Sequence, residues 1–429
     1  MKRRDVLRIL GVGATGAWAG AVAGARATAP PKQYHQWIAD RVRRVITERA
    51  IDAFLSPAPN NQWAKFDVEL GYVPSDSIQR DGLDGSQSMY RYEPGGQRKM
   101  LAYCDRPCRI NTYGDSFTQC HQVSDGETWQ EYLAAHLGEP IRNFGVGGYG
   151  VFQAYRRLLR HEQSDARAPY LILNIWEDDH RRGLMPWRSL YANSQRRDEM
   201  FHSNPWCHLR VNLETGQFEE APNPCPTPES LYRLVSVDYV QEHFGNHPVI
   251  QLRAMMDRVA DVPRQAIEKL AEWADYDFDF TDTQTQAASA RALFDIMAYR
   301  STLYVLDKLV GFVQQQNSKL LVLLTHGRGK VQRYLGGGPK SEHDQSVIRR
   351  LEGHGIGYLD ALDLHKQDYA QFRATPHEYA QRYYIGHYNP MGNHFFAYAI
   401  KDAVVTWLDP KPIAYQGGGS IIDFRHLEK

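Results

Sequence analysis

The sequence predicts an α/β fold in which helices cover both faces of a parallel sheet. Strand-like and helical segments alternate in two stretches of the chain, and the strand-like run at residues 170–175 is apolar except for Asn174, as in a strand buried on both sides. A β-α-β order with right-handed crossovers makes the strands parallel. The predicted strands are residues 109–113, 141–144, 170–175, 319–324 and 357–360, and the predicted helices between and after them are residues 128–137, 152–161, 344–352 and 393–408.

The composition is that of an ordinary globular protein. Hydrophobic residues make up 42% of the 429 residues and charged residues 23%, which excludes a disordered chain and a multi-span membrane protein. The 50 Lys and Arg residues balance the 50 Asp and Glu residues, so the net charge is zero with histidine neutral. This balance gives no electrostatic reason to expect nucleic acid or anionic lipid as a partner.

Residues 1–27 predict a signal peptide. Lys2-Arg3-Arg4 precedes an apolar, glycine-rich run at residues 9–24, and Ala25-Arg26-Ala27 fits a cleavage site. The pattern resembles a twin-arginine signal, which predicts a periplasmic or secreted protein. An uncleaved N-terminal anchor is the alternative, because the run is near the short limit for a membrane span. No later run is long and apolar enough to span a bilayer, so we expect no integral membrane domain after cleavage.

The rest of the chain divides into five predicted segments. The first is a helix over residues 34–55 followed by an irregular, Asn-, Pro- and Gly-rich stretch that we expect to wrap the domain surface. An insertion separates the two alternating halves and carries a β-hairpin at residues 208–219 and several helices. The segments are residues 28–105 (helix and wrapping stretch), 106–183 (first half), 184–301 (insertion), 302–410 (second half) and 411–429 (C-terminal tail).

Five cysteines follow the predicted signal peptide. In an oxidising compartment, Cys207 and Cys225, which flank the hairpin, are candidates for one disulfide, and Cys104 and Cys108 are candidates for another. This pairing leaves Cys120 free. Structural zinc at Cys104 and Cys108 is the alternative, although the chain offers no second Cys or His pair at a regular spacing.

A candidate nucleophile follows the first predicted strand. Gly114-Asp115-Ser116-Phe117 continues directly from residues 109–113, so Ser116 is expected at the carboxyl edge of the sheet. There a serine hydroxyl can be exposed to a substrate while a base approaches it from another loop. The alternative is that Ser116 caps a helix. Asp115 is better suited to fixing the turn through backbone hydrogen bonds than to taking a proton.

Two later loops offer the partners that a nucleophilic serine needs. The stretch from Asn143 to Gly150 contains four glycines, so backbone amides there can approach a developing negative charge. A tight strand-to-helix turn is its structural alternative. Residues 386–393 place His387 on a loop before the last helix, at the same edge as Ser116. Histidine is the natural general base for a serine hydroxyl near neutral pH.

These three motifs, in this order, resemble the sequence blocks of the SGNH/GDSL hydrolase superfamily. Residues 114–117 are similar to its first block, residues 143–150 to its second, and His387-x-Asn389-x-x-Gly392 to its last. The resemblance implies a flavodoxin-like three-layer α/β/α fold, hydrolysis of acyl esters, and neither a metal nor a cofactor. It also implies that Ser116 is the nucleophile, that His387 is the base, and that the amides of Ser116 and Gly148 form part of the oxyanion hole.

The chain departs from the family pattern in the third block. The family has Asn-Asp there, and the asparagine donates a hydrogen bond to the oxyanion, whereas this chain has Asp178. An ionised carboxylate would repel an oxyanion, but a protonated one can donate, and burial raises the pKa of a carboxyl group. Asp178 therefore either acts as a neutral oxyanion donor or holds His180 or Arg181 in a structural pair.

A second departure concerns the acidic residue that the family places two or three positions before the histidine. This chain has Ile385 and Tyr384 there, and neither can orient an imidazole as a carboxylate does. Three alternatives follow: a backbone carbonyl holds His387, a distant acid holds it, or the site has lost activity.

Other candidates to support the site are polar residues on the same edge. His326 and Arg328 follow the strand at residues 319–324, where they either contact substrate or lie in a solvated loop. The remaining candidates are Asn143, Asp179 and Asn389.

The sequence thus predicts an exported SGNH-type serine esterase. Its predicted substrate is an acylated small molecule or glycan, an expectation that rests on the predicted compartment and on family analogy. One alternative is an O-acyltransferase that passes the acyl group to a sugar hydroxyl. Another is a non-catalytic glycan-binding protein, which Asp178 and the missing acid beside His387 would favour.

Overall fold

The structure is a computed structural model that describes residues 33–56, 63–192 and 204–416. The predicted signal peptide and most of the predicted tail lie outside the described residues. The described strands are β1 (Ala64–Asp67), β2 (Gly71–Pro74), β3 (Ser77–Gln79), β4 (Ser88–Tyr90), β5 (Ile110–Tyr113), β6 (Arg142–Asn143), β7 (Tyr170–Trp176), β8 (His208–Val211), β9 (Phe218–Ala221), β10 (Lys319–Thr325) and β11 (Gly357–Asp360). The described α-helices are α1 (Tyr34–Val45), α2 (Glu48–Leu55), α3 (Ser116–Gln119), α4 (Trp129–Leu137), α5 (Val151–Glu162), α6 (Asp179–Arg182), α7 (Arg188–Tyr191), α8 (Val237–Phe244), α9 (Pro248–Met256), α10 (Gln265–Ala274), α11 (Thr283–Gln315), α12 (Arg328–Leu335), α13 (Glu342–Gly353), α14 (Ala361–Tyr369), α15 (Pro376–Tyr383) and α16 (Pro390–Trp407).

Five strands form one parallel sheet in the order β11-β10-β7-β5-β6. Counted along the chain, the order is 2-1-3-4-5, which is the order of flavodoxin-like sheets. All five strands occur where the sequence predicts them, so the α/β class and the parallel sheet are confirmed. The order reverses between β5 and β7, and in open α/β sheets this switch point is where ligands bind.

Both faces of the sheet are buried. In β7, Leu171 and Leu173 belong to one apolar core and Tyr170 and Ile172 to the other, as the alternation of side chains along a strand requires. Helices α5, α11 and α13 contribute to the first core, and α4, α12, α14, α15 and α16 contribute to the second. The predicted cover of helices on both faces is confirmed. No ranges were predicted from the sequence for helices α8, α12, α14 and α15, nor for the four-residue helices α3, α6 and α7.

Local sequence signals set the ends of the helices next to the site. Thr128 caps α4 by accepting a hydrogen bond from the Glu131 amide at 3.2 Å, and Gly138, at φ = +74°, ends the helix in a left-handed conformation. Asn389 caps α16 by accepting from the Gly392 amide at 2.8 Å, and Pro390 follows as the first helical residue. This cap therefore fixes the position at which the loop that carries His387 ends and α16 begins.

The insertion is built as a hairpin with helices, and it shares the first core with the sheet. Strands β8 and β9 pair antiparallel, which confirms the predicted hairpin. Helix α11 runs without a break through residue 301, where the insertion was predicted to end. Within residues 33–56, 63–192 and 204–416, no helix has both the length and the apolar character of a membrane span.

The stretch expected to wrap the surface contributes to the interior. It forms two antiparallel hairpins, β1–β2 and β3–β4, and the side chains of Tyr72 and Tyr90 are fully buried. Arg98 follows them and is 2% exposed. Its guanidinium pairs with Asp125 at 2.9 Å, and it also donates to four carbonyl oxygens, those of Met89, Gln119, Cys120 and Val123, at 2.6–3.1 Å. Arg98 thus ties β4 to the chain that follows Ser116.

Replacing Arg98 by methionine should lower the free energy of unfolding by about 3–5 kcal/mol, because it leaves four carbonyls and a carboxylate without their buried donor. Arg91 provides a matched control, since it pairs with the same Asp125 at 2.8 Å but its side chain is 42% exposed. Arg91→Met should cost less than about 1 kcal/mol. Urea denaturation followed by tryptophan fluorescence measures both losses, and equal losses would show that burial of Arg98 is not what matters.

The disulfide prediction is wrong for this structure, since all five cysteines are free thiols. In the hairpin, His208 pairs with Ala221, so the position opposite Cys207 is Pro222 and Cys225 lies three residues beyond it. The Cys108 sulfur instead contacts the carbonyl oxygens of Ile110 and Pro140 at 3.3 Å.

Candidate active site

Ser116 lies at the carboxyl end of β5, as the first residue of α3. Gly114 makes the turn at φ = +152°, and a Cβ there would approach within 2.5 Å of the Asn174 carbonyl oxygen, so only glycine fits. Asp115 caps α3, because its carboxylate accepts a hydrogen bond from the Phe117 amide at 2.8 Å. The turn lifts the serine to the sheet edge beside the switch point.

His387 and Ser116 are in hydrogen-bond contact although 271 positions separate them in the chain. The distance between His387 Nε2 and Ser116 Oγ is 2.8 Å. The His387 loop is narrow, because Tyr384 and Tyr388 form an antiparallel bridge across it and the Ile385 amide donates to the His387 carbonyl oxygen at 3.0 Å. The Phe117 ring packs against the imidazole, with 5.0 Å between centroids.

Gln122 holds the other side of the imidazole. Its Oε1 lies 3.0 Å from His387 Nδ1 and accepts a hydrogen bond from the His387 backbone amide at 2.9 Å. Its Nε2 donates to the Asp81 carbonyl oxygen at 3.1 Å, which fixes the orientation of the side-chain amide. An oxygen facing Nδ1 requires that Nδ1 carries the proton. His387 therefore presents the lone pair of Nε2 to the serine hydroxyl.

Gln122 itself is held in an unusual backbone conformation. Its φ is +71°, and its amide donates to the Tyr90 hydroxyl at 2.6 Å. Tyr90 in turn donates to the Asp81 carboxylate at 2.9 Å. The neighbouring carbonyls of Cys120 and Val123 are bound by Arg98. Residues from the N-terminal stretch that forms the hairpins thus fix the position of Gln122.

The acid-base state of His387 follows from its surroundings. Burial lowers the pKa of His387 to about 4, and the positive charge of Arg182 acts in the same direction. The neutral oxygen of Gln122 provides no negative charge to raise it. At neutral pH the imidazole is therefore unprotonated, which is the state that a general base requires.

Activity that depends on His387 should fall only as the pH drops through about 4, since the lowered pKa keeps the base neutral above that value. A histidine at its ordinary pKa of 6.5 would lose activity more than two pH units earlier. The measurement is kcat/KM for an uncharged ester between about pH 3 and pH 8. An acid limb near 6.5 would contradict this assignment.

Two buried carboxylates and one arginine lie close to Ser116. Asp115 Oδ2 lies 3.1 Å from Ser116 Oγ and 3.6 Å from Arg182 Nη1, and Asp179 Oδ1 lies 2.8 Å from the same Nη1. Burial raises the pKa of Asp115, although Arg182 partly offsets this. Burial and the charge of Asp115 raise the pKa of Asp179 well above its ordinary value. Arg182 is the common partner of both acids.

Of the two roles predicted for Asp178, the structure agrees with the structural pair and not with the neutral oxyanion donor. Its carboxylate lies 3.1 Å from Arg182 Nε and 3.4 Å from Arg181 Nη1. Burial alone would raise the pKa of Asp178, but the charges of Arg182, Arg188 and Arg181 outweigh burial and lower it. An ionised carboxylate accepts hydrogen bonds and cannot donate one to an oxyanion.

Two backbone amides remain as candidate oxyanion donors. Gly148 is buried at φ = +85°, and no acceptor among the described residues pairs with its amide. The Ser116 amide lies in the first turn of α3, where amides lack an acceptor within the helix. Asn143 supports the glycine loop, since its Oδ1 accepts a hydrogen bond from the Gly145 amide at 2.9 Å, and its Nδ2 has no partner in the described part of the chain.

The other predicted residues lie around the site without touching its reacting atoms. His326 is buried, and its Nε2 pairs with Asp360 at 3.0 Å, while the Tyr384 hydroxyl donates to its carbonyl oxygen at 3.0 Å. Through its contact with Tyr384, His326 supports the loop that carries His387. Arg328 is exposed at the start of α12. Asn389 caps α16 and donates to the Arg382 carbonyl oxygen at 2.9 Å.

No protein-family model matches the chain, and no curated protein matches it in sequence. Among solved structures, the chain is similar to LAE5, described as an alpha/beta hydrolase enzyme from the metagenome of Lake Arreo, Spain, with 12% identity over 71% of this chain and 96% of that chain. The TM-score of this match is 0.31.

Proposed function

We propose that this protein is a serine hydrolase that cleaves carboxylic esters. The observation that carries the proposal is the 2.8 Å contact between Ser116 Oγ and a histidine nitrogen that presents a lone pair. A serine hydroxyl is a weak nucleophile until an adjacent base can take its proton. His387 meets this requirement, because Gln122 fixes its tautomer and burial keeps it neutral.

The reaction follows the order of proton transfers that this geometry allows. His387 Nε2 takes the Ser116 proton while Oγ attacks the ester carbonyl carbon, which gives a tetrahedral intermediate with a negative oxygen. The imidazolium then gives that proton to the leaving alcohol oxygen as the C–O bond breaks. Water attacks the resulting acyl-serine, with His387 again taking a proton. The acid leaves, and Ser116 recovers its hydrogen from His387.

The amides of Ser116 and Gly148 stabilise the oxyanion in this proposal. One such donor contributes roughly 3 kcal/mol to the stability of a transition state of this kind. Asp178 takes no part, since its carboxylate is paired with Arg182 and Arg181. The hole therefore has one side-chain donor fewer than the SGNH pattern.

We assign the protein to the SGNH type within this proposal. The support is that the three sequence motifs meet at one sheet edge, with the serine after the first strand of the sheet, the glycine loop after the second, and the histidine just before the last helix. The order 2-1-3-4-5 agrees with the flavodoxin-like fold that the resemblance implies.

The compartment and substrate in this proposal rest on the sequence. Residues 1–27 have the features of an export signal, so we propose a periplasmic or secreted enzyme acting on an acylated, most simply acetylated, carbohydrate or small molecule. Trp187 and Trp206 of the insertion are fully buried in the core, so these two rings cannot stack on a sugar of the substrate.

The test is turnover of an uncharged chromogenic acetate ester, combined with labelling by a fluorophosphonate. The proposal expects release of acetate and one added phosphonyl group, which peptide mass spectrometry places on Ser116. Heat-denatured protein is the control for nonspecific labelling. Labelling elsewhere, or no turnover and no labelling, would contradict the proposal. Acetyl transfer to an added sugar in place of acetate release would indicate the acyltransferase.

A further inference from the structure

His121 contacts both the proposed base and the glycine loop, although the proposed reaction does not use it. The residue is 7% exposed, and its amide donates to the Ser116 carbonyl oxygen at 3.0 Å. Its ring meets the imidazole of His387 edge to face, with 5.2 Å between centroids. Its Nε2 and Cε1 atoms face Gly147, since a Cβ on Gly147 would lie 2.5 Å and 2.6 Å from them. One ring thus joins the two loops that serve Ser116.

The His121 ring is held in this position by its other neighbours. Trp63 packs against it with 4.3 Å between centroids, and Tyr90 lies 6.1 Å away, also edge to face. A shift of the ring away from Gly147 would therefore press it against these aromatic side chains or against His387. Burial lowers the pKa of His121 well below its ordinary value, and a positive charge on His387 lowers it further. The ring therefore stays neutral while His387 takes the serine proton.

Gly147 is fixed on the other side of this contact. Its amide donates to Gln119 Oε1 at 2.5 Å, and its carbonyl oxygen accepts from the Tyr72 hydroxyl at 2.8 Å. Its φ lies outside the left-handed region, so no left-handed backbone excludes alanine. A methyl group there would instead meet the His121 ring well inside van der Waals contact, and it would lie 2.9 Å from Gln119 Oε1. The space that His121 fills thus requires a residue without a side chain at position 147.

We propose that His121 is a positioning residue that sets the distance between the general base and the oxyanion loop. The inference rests on the proposed function. The ring contacts His387 on one side and Gly147 on another, and Gly147 is followed by Gly148, whose amide the proposed reaction assigns to the oxyanion. This distance matters because a catalytic group misplaced by about 1 Å can lower a rate by roughly 100-fold. His121 acts here through the shape of its ring and transfers no proton.

A double-mutant cycle on kcat for an uncharged acetate ester tests this role. Gly147→Ala should lower kcat by about 100-fold, because the added methyl group displaces the Gly148 amide from the oxyanion. His121→Ala should lower kcat by about 10-fold and leave KM nearly unchanged, because the ring positions the reacting groups and binds no substrate. It also removes the clash, so Gly147→Ala should cost less than about 3-fold in that background. His121→Phe keeps a ring there, so Gly147→Ala should remain as costly as in the wild type.

Two controls separate this contact from general effects of substitution. His208→Ala also removes a buried histidine, since His208 is 5% exposed in β8 of the insertion, and it should leave the cost of Gly147→Ala unchanged. Gly311→Ala adds a methyl group in α11, where no atom of the described residues outside the helix backbone lies within 4 Å of a Cβ. It should leave kcat unchanged.

Circular dichroism checks that each variant folds. If Gly147→Ala does not fold, the readout is the rate at which a fluorophosphonate labels Ser116, which should fall by about 10-fold in His121→Ala and by less than about 3-fold in His121→Phe. Equal losses in these two variants would overturn the proposal, as would additive losses in the cycle or a loss in His121→Ala confined to KM. Additive losses in an active enzyme reject the role of His121 alone, whereas a wild type without turnover and without labelling rejects the hydrolase as well.

Discussion

Ester hydrolysis should fall by about four to six orders of magnitude when Ser116 is replaced by alanine. The variant lacks the hydroxyl that lies 2.8 Å from His387 Nε2, so no acyl-serine can form. The candidate oxyanion amides of Ser116 and Gly148 remain and should leave a small residual rate over water. The measurement is kcat for an uncharged acetate ester, with enzyme at high concentration so that the residual rate is detectable.

The same experiment tests whether Ser116 and His387 act as one unit. His387→Ala should cause a loss of similar size, and the double variant should be no slower than either single variant, because removing one partner already disables the other. His243→Ala is the control, since its side chain is 45% exposed at the end of α8, outside the site. Additive losses in the double variant, or activity retained in Ser116→Ala, would remove Ser116 as the nucleophile.

The parallel sheet was predictable because each of its strands carries its own local signal. Residues 170–175 are apolar except for Asn174, and the structure has them in the central strand β7, buried on both faces. Strand β11 occurs at the predicted residues, and β6 shortens to Arg142–Asn143 because its partner β5 reaches it over only two residue pairs. Helix α12 was missed because Val331 is the one residue of this helix that is fully buried, so its sequence has little apolar periodicity.

The contact between Ser116 and His387 was predictable for a different reason. Each lies in a motif at the end of an element, and carboxyl ends of parallel strands meet at one edge. The pairing of Asp178 also had a local signal, since Arg181 and Arg182 lie three and four residues later, the spacing of neighbours on a helix.

Gln122 had no such signal. It lies 265 positions before His387, and it reaches the imidazole only because its backbone is left-handed at φ = +71° and Tyr90 holds its amide. Tyr90 and Arg98 belong to the stretch that composition alone describes as irregular. The tertiary packing of that stretch brings Gln122 to His387, and no periodicity in the sequence reveals this packing.

Replacing Gln122 by alanine should lower kcat by roughly 100-fold, because nothing then fixes the proton on His387 Nδ1 or the orientation of the ring. Gln122→Glu should behave differently. A carboxylate facing Nδ1 still accepts its hydrogen bond, and its charge raises the pKa of the imidazole by about 1–3 units. The acid limb of the pH profile should then move up from about 4, the value that burial gives to His387 beside a neutral amide.

Gln130→Ala is the control for loss of a buried glutamine. Gln130 donates to Thr112 and to the Thr118 carbonyl oxygen without contacting His387, so its replacement should lower stability and leave the acid limb in place. If the acid limb of the pH profile moves in Gln122→Glu but not in Gln130→Ala, residue 122 is the group that sets the pKa of His387. Unchanged limbs in both would mean that another group holds the imidazole. An upward shift would also show that the neutral amide of Gln122 keeps the pKa of His387 low, so that the base remains unprotonated in more acidic surroundings.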